Sequence, residues 1–197
     1  MRTKSVRLAA NRFSENTGNL LQFVSRLESA RSTTDTDVTW AYEYGIIRLY
    51  RDFEDLMLNC LIATLNTNPV AFSEHKGIGF PRKMNVEVCE YLISGEGYFD
   101  FRGRSGLIRE VRKYVPEGHW LLETVKENRY HQSLDRLSAL RNFAAHDSPA
   151  SKRAALKAVG LAKMSSAGSW LKRQNRFVHI VDRLQELAEA LHNAAPH

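Results

Sequence analysis

The spacing of apolar residues along the chain predicts helices rather than strands. Between residues 16 and 31, and again between 38 and 65, apolar side chains recur every three or four residues, as they do on one face of an α-helix. The polar run at 32–37 separates the two segments and supplies Thr and Asp side chains that can cap the second. The same spacing returns at 119–147 and at 169–192. The pattern therefore predicts an all-α helical bundle.

Glycine interrupts this pattern between residues 72 and 106, where the apolar pieces are short. A short helix at about 86–93 and an extended segment near 97–102 fit this stretch best. Another short helix is predicted at 105–114. A chain of this length can bury one good core, so we interpret residues 1–197 as a single domain with an irregular inserted loop region at 72–106.

A helix boundary is predicted close to His146. Ser148 followed by Pro149 is typical of an N-cap and a first helical position, because the amide that proline lacks has no partner there anyway. The helix at 119–147 should therefore end beside His146 and another should begin at once. We expect the His146 side chain to lie near an accessible helix end.

Composition limits the class of protein. With 43% hydrophobic and 25% charged residues, the chain is globular rather than disordered or fibrous. Cys60 and Cys89 lie in apolar surroundings without the spacing of zinc ligands, so we expect reduced core cysteines, no metal site and no cofactor. There is no signal-peptide pattern and no apolar run that could cross a bilayer. The sequence therefore predicts a cytoplasmic protein without a membrane partner.

The net charge of +6 is concentrated in one segment. Residues 148–177 contain no acid but seven basic residues: Lys152, Arg153, Lys157, Lys163, Lys172, Arg173 and Arg176. Such a segment suits RNA, because Lys and Arg that bind phosphates release counterions. A solvated helix face is an equally good interpretation of the charge alone. We predict RNA contacts by Lys152, Arg153, Lys157, Lys172 and Arg173, with Trp170 packed inside rather than stacked on a base.

Arg141 stands at an unusual place in the helical pattern. At about 100° per residue it falls on the apolar arc of the 119–147 helix, where a guanidinium is unfavourable unless it is paired or opens into a cleft. On the second helix, Glu54 and Glu43 project onto the apolar face, while Asp52 and Asp55 point away. We expect Glu54 to pair with Arg141, and Glu43 is the second choice.

His146 lies five residues after Arg141, so an ideal helix separates the two by about 140°. Asn142 precedes His146 by four residues and is expected to orient the imidazole. Histidine titrates near neutral pH and can act as a general base or acid. Arginine can hold phosphate oxygens while negative charge builds in a transition state.

Residues 140–148, LRNFAAHDS, resemble the RNxxAH motif of the HEPN superfamily. The match covers Arg141, Asn142, Ala145 and His146, and the chain is similar to the RiboL-PSP-HEPN group. The resemblance implies an all-α bundle with the motif late on a long helix and an acid on an earlier core helix, for which Glu54 is suited. It also implies metal-independent RNA cleavage at a site that two motifs form across a symmetric homodimer.

The resemblance leads to an expected function, a metal-independent endoribonuclease that acts as a toxin or phage-defence effector. Cleavage through the 2′-hydroxyl predicts that DNA is not cut. In related toxins that a nucleotidyltransferase partner silences by adenylylation, a tyrosine commonly stands two places after the histidine, and here Ser148 occupies that place. This departure puts the modification in doubt, while a cognate antitoxin of this or another type stays open.

Two other interpretations of the motif remain. The chain can be a non-catalytic HEPN module that binds nucleic acid, nucleotide or a partner protein. Alternatively, Arg141 is a buried ion-pair residue and His146 a helix-end cap in a domain that serves only as a dimerising scaffold. An exposed and paired His146 favours the enzyme, whereas a buried or solitary His146 favours the binding module.

Overall fold

The computed structural model describes residues 3–95 and 97–196, and all regular secondary structure within them is helical. The all-α class is confirmed. In chain order the helices are α1 Val6–Ser29, α2 Asp35–Thr67, α3 Pro69–Lys76, α4 Val86–Ser94, α5 Gly103–Arg112, α6 Trp120–Lys126, α7 His131–His146, α8 Pro149–Val159, α9 Ala167–Leu171 and α10 Arg176–Ala194. None of these helices is long and apolar enough to cross a lipid bilayer.

Helix α2 is the centre of the bundle and contacts α1, α4, α7, α9 and α10. It begins with a capping box, in which the Thr34 hydroxyl accepts from the Asp37 amide and the Asp37 carboxylate accepts from the Thr34 amide. Its core side chains include the fully buried Phe53 and Met57, and each such side chain contributes about 1.5–3 kcal/mol by burial. The other helices are arranged around this apolar axis.

Asp52 on α2 is buried, which corrects the expectation that it points away from the core. Only 8% of it is exposed. Arg48 Nε donates to Asp52 Oδ2 at 2.9 Å, and Asn16 Nδ2 donates to Asp52 Oδ1 at 3.4 Å. A buried carboxylate is tolerated when it is paired and hydrogen-bonded in this way. Helix α1, which begins at Val6 rather than at the predicted residue 16, packs on α2 and covers this side through Asn16.

The helix predicted at 119–147 is broken, and this prediction was wrong. A 3-10 turn at Asn128–Tyr130 separates α6 from α7. On one continuous helix, the apolar residues of α6 and those early in α7 would lie about 140° apart, at about 100° per residue. The break lets α6 pack on α5 and α10 while α7 packs on α2. These apolar residues are Leu121, Leu122, Val125, Leu134 and Leu137.

The helix predicted at 169–192 is likewise two helices. Gln174 and Asn175 between α9 and α10 both adopt left-handed backbone conformations, with φ of 56° and 53°, which end a right-handed helix. The backbone of α9 lies directly against α2 at Gly168, where an added Cβ would be 2.1 Å from the Thr39 carbonyl oxygen. Helix α9 therefore docks on α2 at a distance that only glycine permits.

Residues 72–106 are more regular than predicted. The short helix at 86–93 is confirmed as α4, and α3 and α5 cover both ends of the stretch. The segment near 97–102 forms no strand. Its buried side chains Phe99 and Phe101 join the same hydrophobic core as α2 and α7. The region closes one side of the bundle rather than projecting from it.

Candidate active site

Arg141 lies on α7 with its guanidinium over an aromatic ring of α2. Its Cζ atom is 4.4 Å from the centroid of the Tyr50 ring, a cation–π contact that fixes the plane of the guanidinium. Arg141 Nη1 also donates to Asn142 Oδ1 at 2.8 Å. Asn142 thus positions Arg141, and in the part of the chain that the structure describes it has no hydrogen bond to His146, which corrects the role predicted for it. The arginine is half-buried, so part of the group can reach a ligand.

The ion pair predicted between Glu54 and Arg141 is not a contact pair. Within the described ranges, no acidic oxygen lies within 4.0 Å of a nitrogen of Arg141. Glu54 still attracts Arg141 at longer range and lies in the same electrostatic environment as Asp100. Because no carboxylate occupies the fork of Arg141, its donors can bind another anion.

Tyr50 and Asp100 complete the surroundings of Arg141, although neither is among the site residues predicted from the sequence. The Tyr50 hydroxyl lies 2.7 Å from Asp100 Oδ1 and 2.5 Å from the Phe101 carbonyl oxygen, and its proton is shared between these acceptors. This anchor holds the ring on which Arg141 stacks. A polar residue between the buried Phe99 and Phe101 is the signal that could have indicated Asp100.

The Glu54 carboxyl has an unusual proton affinity. Burial raises its pKa most, Arg141 opposes the rise, and the neighbouring Asp100 adds to it, so that the pKa of Glu54 reaches about 7. Near neutral pH the group is therefore present in both protonation states. Burial also raises the pKa of Tyr50 strongly, so this phenol stays neutral. The charge next to Arg141 thus depends on pH in the neutral range.

Glu54→Gln is expected to change how the stability of the protein depends on pH. The pKa of Glu54 is about 7 in the folded chain and 4.5 ordinarily. In the window between these two pH values, the folded state therefore binds more protons than the unfolded state. The free energy of unfolding then falls as pH rises through it. Above the window we expect the variant to be more stable than the wild type by about 1–2 kcal/mol, the full shift being reduced by solvent screening. Below the window the wild type and Glu54→Gln should have the same free energy of unfolding.

Urea unfolding from below pH 4.5 to above pH 7 measures this difference. The control is Asp55→Asn, which removes an exposed carboxylate one residue further along α2 and should leave the pH dependence unchanged. Parallel curves for the wild type and Glu54→Gln would contradict the raised pKa.

His146 is the last residue of α7 and is exposed. Asp147 follows in a left-handed conformation with φ 36°, and α8 begins after the Ser148 N-cap, as predicted. In the part of the chain that the structure describes, the His146 side chain has no hydrogen bond. The imidazole is therefore accessible but solitary within one chain.

Two of the predicted site residues lie at the contact between α2 and α9. Glu43 Oε1 accepts from the Gly168 amide at 3.3 Å. Lys172 Nζ donates to Asp35 Oδ1 at 2.7 Å and to Thr39 Oγ1 at 2.8 Å, and only 12% of its side chain is exposed. The side chains of Glu43 and Lys172 therefore hold α9 against α2. Neither joins Arg141, and little of Lys172 remains for a phosphate.

Of the other basic residues predicted to bind RNA, Lys152 lies next to the motif and the rest are exposed. Lys152 on α8 places Nζ 5.9 Å from the centroid of the Phe143 ring, between Arg141 and His146 in α7. Arg153, Lys157 and Arg173 are exposed. The structure thus brings Arg141, Asn142, Glu54 and the start of a basic surface together around the second half of α7.

The chain matches no protein-family model, and it has no significant match among curated proteins or among solved structures.

Proposed function

We propose that the protein is a metal-independent endoribonuclease of the HEPN type, with Arg141 and His146 as its catalytic residues. The observation that carries the proposal is the state of Arg141. The guanidinium is held by Tyr50 and Asn142, and no carboxylate of residues 3–95 and 97–196 forms a contact pair with it. An arginine that is positioned but not paired, on the same helix as an accessible histidine, suits the stabilisation of a phosphate in its transition state.

In the proposed reaction, the 2′-oxygen of RNA attacks the adjacent phosphorus and the bond to the 5′-oxygen breaks. One group takes the proton of the 2′-hydroxyl and another gives a proton to the leaving oxygen. A single His146 cannot be the unprotonated base and the protonated acid in the same step. Two copies of the motif in a homodimer supply both, and the solitary His146 at the end of α7 is suited to such an arrangement.

The proposed cellular role is a toxin or phage-defence effector restrained by a cognate antitoxin, and the motif resemblance supports it. Ser148 takes the place of the tyrosine that a nucleotidyltransferase modifies in related toxins. Its hydroxyl accepts from the Ser151 amide at 3.1 Å as the cap of α8. A modification of this hydroxyl would remove the cap, at about 1 kcal/mol.

A second candidate function is a non-catalytic module that binds RNA or a partner. The solitary His146 favours it, because an acid or base that acts in catalysis is commonly oriented by a hydrogen bond. The two candidates differ in whether a second chain provides the missing contacts of the imidazole.

The wild type is expected to cut single-stranded RNA in the presence of EDTA and to leave DNA of the same sequence intact. The products should carry 2′,3′-cyclic phosphate and 5′-hydroxyl ends, because the 2′-oxygen is the nucleophile. Gel analysis of end-labelled strands measures both. RNA methylated at every 2′-oxygen is the matched control and should resist cleavage. Cutting of this RNA or of DNA would contradict the mechanism, and no cutting by a folded dimer would favour the binding module.

A further inference from the structure

A cleft of about 930 Å³ lies between α8, the connection to α9 and the start of α10. Its volume is at the upper end of the range of ligand pockets, about 300–1,000 Å³. Among the described residues, four cations line it, Lys152, Lys163, Arg173 and Arg176, and no acid does. We refer to this surface as the α8–α9 cleft. Cations of one sign in a concave surface concentrate the electrostatic field and attract anions.

The four cations of the cleft form no ion pairs with acidic residues of the described ranges. Within residues 3–95 and 97–196, none of the four lies within 4.0 Å of an acidic oxygen. Arg176 is instead oriented by neutral groups, with Cζ 4.7 Å from the centroid of the Trp170 ring and Nη2 donating to Gln174 Oε1 at 2.6 Å. Behind it, Arg136 also lies over Trp170, and its buried Nε has no hydrogen-bond partner.

Apolar and neutral polar side chains form the rest of the lining. Leu156, Leu161 and Met164 lie beside the cations, and Leu161 is exposed. Trp170 is only 6% exposed and has two guanidinium groups over its ring, so it packs, as predicted, and is not free to stack on a base. A basic groove can follow the backbone of a single strand, and in this cleft the groove is bordered by an apolar wall.

The cleft is joined to the candidate active site through Lys152. This residue lines the cleft, and its ammonium group lies over Phe143, which stands between Arg141 and His146 on α7. We propose that the α8–α9 cleft binds the sugar–phosphate backbone of a single-stranded RNA on one side of the bond that is cut. The inference rests on the proposed nuclease function for its substrate, although it concerns residues outside the catalytic pair.

The test compares Lys163→Gln/Arg173→Gln with the control Arg82→Gln/Lys83→Gln, which removes the same charge from exposed positions between α3 and α4. The probe is a fluorescent oligouridylate methylated at every 2′-oxygen, followed by anisotropy at increasing salt. Each phosphate contact contributes about −0.7 to the slope of log K against log salt. The cleft variant should lose about 1.4 from this slope. It should bind roughly 25-fold more weakly at about 0.1 M salt if affinities converge near 1 M.

Equal weakening by the control variant, or no weakening by the cleft variant, would overturn the inference. So would a glutamate peptide of equal charge that competes as well as the RNA, because the cleft would then be a site for an acidic protein segment. The assay needs no cleavage, which separates the two proposals. Loss of binding in the cleft variant supports the cleft even if the wild type cuts nothing. Unchanged binding rejects the cleft even if the wild type is an active nuclease.

Discussion

His146→Ala is expected to reduce kcat for RNA cleavage by about 10²–10⁴-fold, the usual contribution of a general acid or base. The exposed imidazole at the end of α7 is the group in the motif that can act as a general acid or base. Because His146 makes no hydrogen bond in the described chain, its removal should leave the free energy of unfolding almost unchanged. Initial rates on labelled RNA, together with a urea unfolding curve, measure the two effects.

The matched control is His179→Ala, which removes an exposed histidine on α10 outside the motif and should keep full activity. If two motifs form one site, the specific activity of the wild type should also fall when the protein is diluted below the dissociation constant of the dimer. Activity that persists in His146→Ala would place the acid or base elsewhere. Activity that is independent of dilution would contradict the composite site.

Gly168→Ala is expected to lower the free energy of unfolding by about 3 kcal/mol, the upper part of the usual range for overpacking. The added methyl group would lie 2.1 Å from the Thr39 carbonyl oxygen and 2.9 Å from Glu43 Cγ. The backbone oxygen belongs to the central helix α2 and cannot move aside without disturbing it. Thermal unfolding should show a decrease in Tm of roughly 6–12 °C for a chain of this size.

The control for this substitution is Gly18→Ala on α1, where an added methyl group meets nothing within 4 Å. Alanine there should raise stability by about 0.5–1 kcal/mol, because glycine has more conformational freedom to lose in a helix. A decrease below about 1 kcal/mol in Gly168→Ala would mean that α9 can withdraw from α2. The ion pair between Lys172 and Asp35 would then lengthen.

The sequence was sufficient to predict the class of the fold and several of its boundaries. Apolar spacing predicted α2, and the Ser148–Pro149 pair predicted the start of α8. These features are local, because a helix face and a capping hydroxyl depend on residues within a few positions of each other. The breaks before α7 and α10 were not predicted from the sequence. Both breaks depend on how each segment packs on α2, α5 or α10 across the core.

The candidate site likewise has a part that the sequence could predict and a part that it could not. Arg141 could be identified from the sequence because a charge on an apolar arc is locally anomalous, and His146 because a helix end was predicted beside it. The groups that surround Arg141 and His146 could not be identified from the sequence. Tyr50 and Asp100 meet only when the chain after α4 returns to α2, and Asn142 contacts Arg141 through side-chain conformations that spacing does not specify. The sequence by itself determined which residues are chemically unusual, because that is a property of local pattern. Only the tertiary structure decided which groups surround them, because burial, proton affinity and pairing depend on segments that are distant in the chain.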